Sequence, residues 1–434
     1  MARVLFTVWP YPTHLHPFLA VALAMRARGH EVAFYSGGAA VAVLAAEGFQ
    51  CFPFRAVDWS LVAHTVDDLI AGRRRPSQMR RLWPRFLVDT VLAQVRDLKA
   101  VLAAFPADVL VCDIAMWAPI LILRERDGVL VAALSHVANC ILPGPDGPVQ
   151  GIALPRRRGW WTVWRWLAPA AAFPVTARTR RKANALRRQF GLAAIGAGVN
   201  ECTGRLPLYI VPSAPEFDNE RRDLPDGVRY VGPCLWEKPA DTPPATWLAE
   251  IPLGQPVVVV DEGALYTHEP RVLDIAARAL AGLPVTVVLL AGAGRDVRSL
   301  KLGTLAGNIL LRPHTALSDV LPLAAALVTN GNSESVMAAL AAEVPAAVLP
   351  SIWDQAEMAW RVEETGTGLR LSPRRTTASG MRRAVLRLLE DPAYRARAAA
   401  MGAALAARGG PARAAELVEE LIARGRGPQT ESCA

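Results

Sequence analysis

Residues 3–35 read RVLFTVWPYPTHLHPFLAVALAMRARGHEVAFY, and their pattern indicates the class of fold. Residues 4–8 and 31–35 are short apolar runs of the kind that forms buried strands. Between them, residues 17–28 predict a helix, because proline suits the first turn of a helix and Gly29 can end one. The order strand, helix, strand is typical of a parallel sheet that is covered by helices.

The same alternation continues through the N-terminal half of the chain and returns in the C-terminal half. Residues 212–244, which are rich in proline, glycine and acidic residues, separate the two series. We therefore predict an α/β protein of two doubly wound, Rossmann-like domains that face each other across a cleft. The predicted first domain is 1–212, the linker 213–250 and the second domain 251–434. In such sheets, ligands bind at the carboxyl ends of the strands.

Length and composition restrict the class of protein. With 434 residues, of which 52% are hydrophobic and 20% charged, the chain is too apolar to be disordered and long enough for two or three domains. Its six cysteines are scattered and form no CxxC pair, which indicates neither a zinc site nor a disulfide framework. We expect no metal, and a reducing, cytoplasmic setting fits this cysteine usage best.

The net charge of +9 comes almost entirely from arginine, and the basic runs are short and separated. A nucleic-acid interface needs a concentrated basic face with aromatic side chains among the charges, so we expect no nucleic-acid partner. No cationic segment precedes an apolar one at the N-terminus, and no uninterrupted apolar stretch reaches 18 residues. We therefore expect neither a signal peptide nor a transmembrane helix.

Residues 156–167, RRRGWWTVWRWL, leave two interpretations open. In a helix each residue advances by about 100°, so Trp160, Trp161 and Trp164 would share one face while Trp166 points away from it. The segment is either a helix packed on the first domain, with arginine stems over the indole rings, or an exposed aromatic lip. Such an exposed aromatic surface would bind a hydrophobic acceptor or make a peripheral contact with a membrane surface.

Two segments together resemble one family. The first contains Thr13-His14-Leu15-His16-Pro17 and, further on, Arg28-Gly29-His30-Glu31-Val32. The second runs from Pro313-His314 through Val328-Thr329-Asn330-Gly331 to Asp354-Gln355. They are similar to the GT-B glycosyltransferases of the UDP-glycosyltransferase superfamily, in particular to bacterial enzymes that glycosylate natural products, and the similarity covers the whole chain. The resemblance implies an inverting transfer without metal or cofactor, from a nucleotide-sugar on the second domain to a small acceptor on the first.

The resemblance places the general base on His14, in a His-x-x-Pro pattern that ends at Pro17, and its orienting partner on Asp113. A histidine at a strand-to-helix turn lies near the positive end of the helix, which disfavours imidazolium and leaves the ring able to accept a proton. A carboxylate directly after an apolar strand stands where doubly wound folds place function. The alternatives are a capping or loop role for His14 and a helix cap for Asp113.

The resemblance assigns the donor contacts to the second domain. Asp354 and Gln355 match the family pair that holds the hydroxyls of the donor sugar, and Asp354 is also a suitable N-cap for the helix that follows. The other predicted contacts to the nucleotide and its diphosphate are Gly263, Arg312, His314, Asn330, Gly331, Ser333 and Ser335.

The predicted diphosphate turn departs from the family pattern. Asn330 stands where the family has a histidine, while Asn332 and Glu334 replace small residues that let the backbone approach the phosphates. Asp261 and Glu262 add two carboxylates near the expected leaving group. A carboxylate in the first turn of a helix competes with a diphosphate for the positive helix end.

We therefore expect an inverting glycosyltransferase that moves a hexose or deoxyhexose from a dTDP- or UDP-sugar to a hydroxyl or other nucleophile of a hydrophobic natural product. Ala338, where many UDP-sugar enzymes carry a ribose-binding glutamate, favours a deoxythymidine donor. The altered turn keeps two alternatives open. One is an enzyme of the same fold that has lost donor use and performs cyclisation, elimination or isomerisation with His14 and Asp113. The other is a non-catalytic partner of a glycosyltransferase. A homodimer and a peripheral membrane contact also stay open.

Overall fold

The structure is a computed structural model that describes residues 1–60, 63, 85–143, 176–196, 198–218, 221–237, 245–252, 254–263, 269–292, 295–352 and 354–425. The tryptophan-rich segment at 156–167, with its two interpretations, lies outside these residues. The described chain forms two compact units. The first contains the residues up to Cys234 and those from Arg408 onwards, and the second runs from Leu235 to Ala407.

A parallel sheet of seven strands forms the centre of the first unit. The strands are Arg3–Thr7 (β1), Glu31–Ser36 (β2), Gln50–Pro53 (β3), Val109–Asp113 (β4), Val131–Leu134 (β5), Tyr209–Val211 (β6) and Val228–Tyr230 (β7). Their order in the sheet is β3-β2-β1-β4-β5-β6-β7. The order of strands reverses between β1 and β4, and this switch point is where doubly wound sheets bind ligands.

Helices connect these strands. They are Pro12–Ala27 (α1), Ala40–Ala46 (α2), Val91–Ala104 (α3), Arg124–Asp127 (α4), 176–189 (α5) and Val199–Gly204 (α6), with π-helical turns at Arg85–Asp89 and Pro119–Leu123. The strands β1, β4 and β5 are almost entirely buried, which explains why they are continuous apolar runs rather than alternating ones.

The first helix begins earlier than the sequence predicts. It starts at Pro12 rather than at Pro17, and the backbone amides of His14 and Leu15 both donate to the carbonyl of Tyr11, at 3.0 and 2.8 Å. Both prolines satisfy the rule for a helix start, and Pro12 is the one that occupies the first turn. His14 therefore lies inside the first helical turn and not in the loop before it.

The second unit contains a parallel sheet of six strands. The strands are Val257–Asp261 (β8), Thr286–Leu290 (β9), Ile309–Arg312 (β10), Ala324–Thr329 (β11), Ala346–Val348 (β12) and Gly368–Arg370 (β13). Their order is β10-β9-β8-β11-β12-β13, which again reverses next to the first strand of the unit. The helices are Ala245–Leu248 (α7), Arg271–Leu280 (α8), Leu317–Val320 (α9), Ser333–Ala341 (α10), Gln355–Glu364 (α11), Ala378–Glu390 (α12) and Pro392–Ala406 (α13). Short 3₁₀ turns lie at Val297–Ser299 and Leu321–Leu323.

The structure confirms the predicted pair of parallel-sheet α/β domains, but their boundaries differ from those expected. The strand β7 lies within the expected linker 213–250 and forms the edge of the first sheet. The last helix, Gly410–Gly425 (α14), was expected in the second domain and packs against α1 in the first unit. Its buried face, which includes Leu417 and Val418, needs an apolar partner, and proximity in the sequence does not determine which unit supplies it.

Two further observations concern the described part of the chain. None of its helices is both long and apolar enough to cross a membrane. Its five cysteines, Cys51, Cys112, Cys140, Cys202 and Cys234, are all free thiols.

Candidate active site

Three central strands of the first sheet end side by side, and each carries an ionisable side chain at or beyond its carboxyl end. The strand β1 leads into His14 on α1, β4 ends at Asp113, and His136 follows β5 by two residues. Because β1, β4 and β5 are neighbours in a parallel sheet, their carboxyl ends lie at one edge. Residues that are far apart in the chain therefore meet there.

The carboxylate of Asp113 binds both imidazole rings. Nδ1 of His14 lies 2.5 Å from Oδ2 of Asp113, and Nδ1 of His136 lies 3.0 Å from Oδ1. The amide of Ala115 also donates to Oδ1, at 2.9 Å, so the carboxylate closes a local turn as well. The two rings are stacked, with centroids 3.5 Å apart and planes inclined by 18°. We call His14, Asp113 and His136 the imidazole cluster.

Electrostatics sets the protonation of the imidazole cluster. Burial alone would raise the pKa of the Asp113 carboxyl, but the charges and hydrogen bonds of His14 and His136 outweigh it and hold that pKa well below its usual range. An ionised carboxylate only accepts hydrogen bonds, so Nδ1 of each ring carries the donated proton. In a neutral ring the lone pair is then on Nε2. The Asp113 side chain is fully buried, whereas those of His14 and His136 are 15% and 17% exposed, so the rings can reach a ligand.

The ligand-type atoms of the imidazole cluster all lie within 4.8 Å of one another. A metal site would need deprotonated nitrogens that converge on one point. Here both Nδ1 atoms point at the carboxylate and carry a proton, and nearly parallel rings do not converge. The geometry is therefore that of a hydrogen-bonded group suited to taking up a proton.

Aromatic side chains stand beside His14. The ring of Tyr11 lies 5.8 Å from that of His14 and 5.1 Å from that of Trp59, and the ring of Phe54 lies 6.3 Å from that of Trp59. All three side chains are half-buried. We call Tyr11, Phe54 and Trp59 the aromatic wall. Its partly accessible ring surface, next to a proton acceptor, suits a flat or apolar ligand.

The carboxyl edge of the second sheet contains the predicted diphosphate turn, but its side chains bind one another. The hydroxyl of Ser335 donates to Oδ2 of Asp261 at 2.6 Å, and the amide of Gly263 donates to the same oxygen at 2.9 Å. Burial raises the pKa of Asp261, although these two hydrogen bonds oppose the rise. Ser335 and Gly263 are thus brought together around a carboxylate at the place where a phosphate was expected.

The side chains of Asn330 and Glu262 also bind other groups of the protein. The side-chain amide of Asn330 donates to the backbone carbonyl of Glu262, and its oxygen accepts from the amide of Asn332 at 3.1 Å. The Glu262 carboxylate pairs with Arg295 and accepts from the amide of Val272 at 2.8 Å, at the start of α8. Burial raises the pKa of Glu262, and Arg295 counteracts this. Arg295 therefore neutralises Glu262.

Gly331 is required by the shape of this turn. Its φ of +86° lies in the left-handed region, which residues with a Cβ avoid. A Cβ at this position would lie 2.5 Å from Cγ1 of Val348 and 3.0 Å from the carbonyl oxygen of Gln355. The following residue, Asn332, caps α10, because its side chain accepts from the amide of Glu334 at 2.9 Å.

The predicted sugar contacts lie at the N-termini of α10 and α11. The hydroxyl of Ser333 donates to Oδ2 of Asp354 at 2.9 Å, so these two predicted residues meet. Oε1 of Gln355 accepts from the hydroxyl of Ser351 at 2.8 Å and from the amide of Ile352 at 3.0 Å. Asp354 is the N-cap residue of α11 without a capping bond from its own side chain, which leaves its carboxylate directed at Ser333.

Arg312 and His314, two of the predicted contacts to the donor, differ in the contacts that they make inside the protein. The Arg312 guanidinium pairs with Glu250 and lies over the ring of Trp247, 5.5 Å from its centroid. His314 is half-buried, and its Nε2 has no hydrogen-bond partner among the described residues. His314 is close enough to Asp261 for its charge to oppose the raised pKa of that carboxyl.

His136 was not among the residues predicted from the sequence. The signal was present, because an apolar run at 129–134 predicts a strand and His136 follows it in the same way that Asp113 ends the strand before it. The sequence identified the other predicted residues that are described at the two strand edges. The hydrogen-bond partners of Asn330, Ser333 and Ser335 could not be identified from it.

Comparisons with known proteins agree with this architecture. Residues 280–423 match the family described as erythromycin biosynthesis protein CIII-like, C-terminal domain. The chain is 34% identical over 431 residues to 4'-demethylrebeccamycin synthase of Lentzea aerocolonigenes, covering 97% of this chain and 100% of that protein. It is 28% identical to aklavinone 7-beta-L-rhodosaminyltransferase of Streptomyces galilaeus, over 98% and 96% of the two chains. The crystal structure of spinosyn rhamnosyltransferase SpnG complexed with thymidine diphosphate superposes with a TM-score of 0.71 at 19% identity, over 97% of this chain and 100% of that chain.

Two parallel-sheet α/β units with this strand order are the GT-B fold. The chain belongs to the natural-product glycosyltransferases of the UDP-glycosyltransferase type, because a relative 34% identical is matched over its whole length. It is a glycosyltransferase, and this finding favours sugar transfer over an enzyme that has lost its donor.

Proposed function

We propose that this glycosyltransferase moves a hexose or deoxyhexose, with inversion, from a dTDP- or UDP-sugar to a nucleophile on a small hydrophobic natural product. His14 is the general base and Asp113 orients it. The observation that carries the proposal is the 2.5 Å hydrogen bond between His14 and a buried, ionised Asp113. Because Nδ1 of His14 donates to that carboxylate, Nε2 is the ring nitrogen that can accept a proton.

The chemistry at His14 follows from the arrangement of protons. The acceptor nucleophile forms its bond to the anomeric carbon while the bond from that carbon to the diphosphate oxygen breaks, and the electron pair leaves on the diphosphate. The acceptor proton ends on Nε2 of His14. Asp113 stabilises the imidazolium that forms, and general-base help of this kind contributes roughly 10²–10⁴ in rate.

The acceptor contacts belong to the first unit. The aromatic wall lies next to His14 and offers stacking surface whose polar atoms are the hydroxyl of Tyr11 and Nε1 of Trp59. Such a surface favours an apolar, ring-containing acceptor, since aromatic pairs stabilise each other beyond simple burial. A natural-product acceptor is consistent with two relatives, 4'-demethylrebeccamycin synthase and aklavinone 7-beta-L-rhodosaminyltransferase.

The donor contacts belong to the second unit. The start of α10 provides backbone amides, and Ser333 and Asp354 stand together for the sugar. Ala338 on α10 cannot bind a ribose hydroxyl, which favours a deoxythymidine donor, and the similar SpnG structure holds thymidine diphosphate. The five free thiols of the described residues support action in the reducing cytoplasm.

Calorimetric titration of the full chain with dTDP, UDP and GDP tests the donor. We expect micromolar binding, about −8 kcal/mol, with dTDP the tightest. The configuration at the anomeric carbon of the product, read by NMR, should be opposite to that of the donor. Absence of heat with all three nucleotides, or retention of configuration, would overturn the proposal.

A further inference from the structure

The imidazole cluster has one ring more than a base and its orienting carboxylate require. His136 follows β5, whereas His14 lies on α1. Nδ1 of His136 nevertheless binds the second carboxylate oxygen of Asp113, at 3.0 Å. Its ring also covers the ring of His14 at 3.5 Å. A side chain that only filled space at this edge would need neither contact.

A carboxylate that receives several hydrogen bonds attracts each donor less. Asp113 accepts from His14, His136 and the amide of Ala115, so its negative charge is shared among three donors. With His136 absent, the same buried charge would act on His14 and the amide alone. The His14 ring would then hold a proton more tightly, and a protonated ring cannot act as a base.

The stacking distance limits the two rings to one positive charge between them. One carboxylate can balance one imidazolium, and a second imidazolium 3.5 Å from the first would face a like charge. The phenol of Tyr11 lies 5.8 Å from the His14 ring, and burial raises the pKa of the Cys112 thiol next to Asp113. Asp113 is the carboxylate that both rings contact.

We propose that His136 is a positioning residue for the general base, and that its N–H bond to Asp113 keeps His14 unprotonated near neutral pH. This inference rests on the proposed function of His14. It predicts that the hydrogen-bond donor of His136 matters for the pH at which the enzyme works, whereas its ring holds His14 in orientation.

Two substitutions separate the donor from the ring. His136→Phe keeps a ring against His14 and removes the donor, while His136→Asn keeps a side-chain N–H close to the position of Nδ1 and removes the ring. In His136→Phe we expect the acid limb of the kcat/KM profile to move upward by on the order of one pH unit, with activity near pH 6.5 reduced about tenfold. In His136→Asn the acid limb should stay near that of the unsubstituted enzyme.

An unchanged acid limb in His136→Phe would overturn the inference, and so would an equal upward shift in both variants. Loss of activity in both variants without any shift would show a merely structural role and would overturn it too. Thermal unfolding of both variants identifies a failure to fold, and the variant that folds then decides the question.

A second measurement needs no substrate. The ring signals of the seven histidines are titrated by NMR in the full-length protein, and His14 is assigned by its loss in His14→Asn. The titration midpoint of the His14 ring should rise in His136→Phe. If the proposed function fails, the unsubstituted protein transfers no sugar whatever the midpoints are. If only this inference fails, transfer persists and the midpoint of His14 is the same with and without His136.

Discussion

The carboxyl edges of the two sheets have the same topology and opposite chemistry. At the first edge, two partly exposed rings share one ionised carboxylate, Asp113. At the second edge, Asp261, Asn330 and Ser335 are 6%, 2% and 1% exposed and bind other groups of the protein. Burial dominates there and raises the pKa of Asp261, whereas the two imidazoles lower that of Asp113.

The difference shows that strand topology determines where a carboxylate lies in the fold but does not determine its state of ionisation. In both sheets a carboxylate ends a central strand, as Asp113 ends β4 and Asp261 ends β8. Two imidazole rings that donate hydrogen bonds make the first one a stable anion that can support an imidazolium. The second has a hydroxyl and an amide as its hydrogen-bond donors, and burial raises its pKa against them.

The largest expected effect tests the chemistry of the first edge. His14→Ala should lower kcat by roughly 10²–10⁴ with saturating donor and acceptor, because general-base assistance is lost. The matched control is His16→Ala, two residues along the same helix, which should leave kcat within about twofold of the unsubstituted enzyme. A loss smaller than tenfold in His14→Ala, or an equal loss in His16→Ala, would show that the first edge does not carry the base.

The contrast between the two carboxylates predicts stability changes of opposite sign. Asp113→Asn should destabilise the protein at pH 7 by about 3 kcal/mol, since it leaves a buried, paired position without its charge. The pKa of Asp113 is lower in the folded state than its ordinary value, so the ionised carboxylate stabilises the fold above about pH 4. This stabilisation is lost as the pH falls. The difference in stability between the unsubstituted protein and Asp113→Asn should therefore become smaller in acid.

Asp261→Asn should behave in the opposite way. The two donors of Asp261 bind the same oxygen, which an amide oxygen can replace. Because the pKa of Asp261 is raised, its contribution is present at low pH and is lost as the pH rises through the folded-state value. The melting temperature of Asp261→Asn should therefore exceed that of the unsubstituted protein at pH 8 and approach it near pH 4. The exposed Asp319→Asn should show no such trend, and the same sign for Asp113→Asn and Asp261→Asn would break the comparison.

An effect of similar size tests the backbone of the second edge. Gly331→Ala should cost about 3 kcal/mol, because it combines a left-handed φ with a clash against Val348. Gly282→Ala has a similar φ of +69° and open space around its Cβ, and should cost about 1 kcal/mol. Equal melting temperatures for the two variants would mean that the turn at Gly331 opens to admit a side chain.

The smallest expected effect lies at the amino edge of the first sheet. Glu419 on α14 accepts from Arg28 and His30, whose hydrogen bonds lower its pKa to about 2. Glu419→Gln should lower the melting temperature by at most about 2 °C at pH 7, because exposed ion pairs contribute little. The depressed pKa implies that this difference disappears as the pH falls from about 4.5 towards 2. A larger loss would mean that α14 depends on this contact rather than on its apolar face.

Much of the fold could be predicted from the sequence, because strands buried on both faces are continuous apolar runs that stand out between helical patterns. Prediction was less successful where two residues satisfy the same rule. Pro12 and Pro17 can each begin a helix, and only packing selects Pro12. The docking of α14 on the first unit is a similar case, since an amphipathic helix does not specify its partner.

For the site, the sequence predicted which residues lie there better than it predicted their hydrogen-bond partners. His14 and Asp113 are 99 residues apart, and the resemblance to the family paired them. His136 lies two residues beyond the end of β5, at the same edge of the sheet, and was not predicted. Ser335 was expected to bind a phosphate, and in the structure it binds Asp261.

The two doubly wound sheets, and the strand ends at which ionisable residues stand, follow from the amino-acid sequence, because burial periodicity is a local property of the chain. That Asp113 contacts two imidazoles, and that Asp261 contacts Ser335 and Gly263, follows from the folded structure. The physical reason is that a proton responds to every charge and dipole within a few ångströms, and those neighbours come from distant parts of the chain.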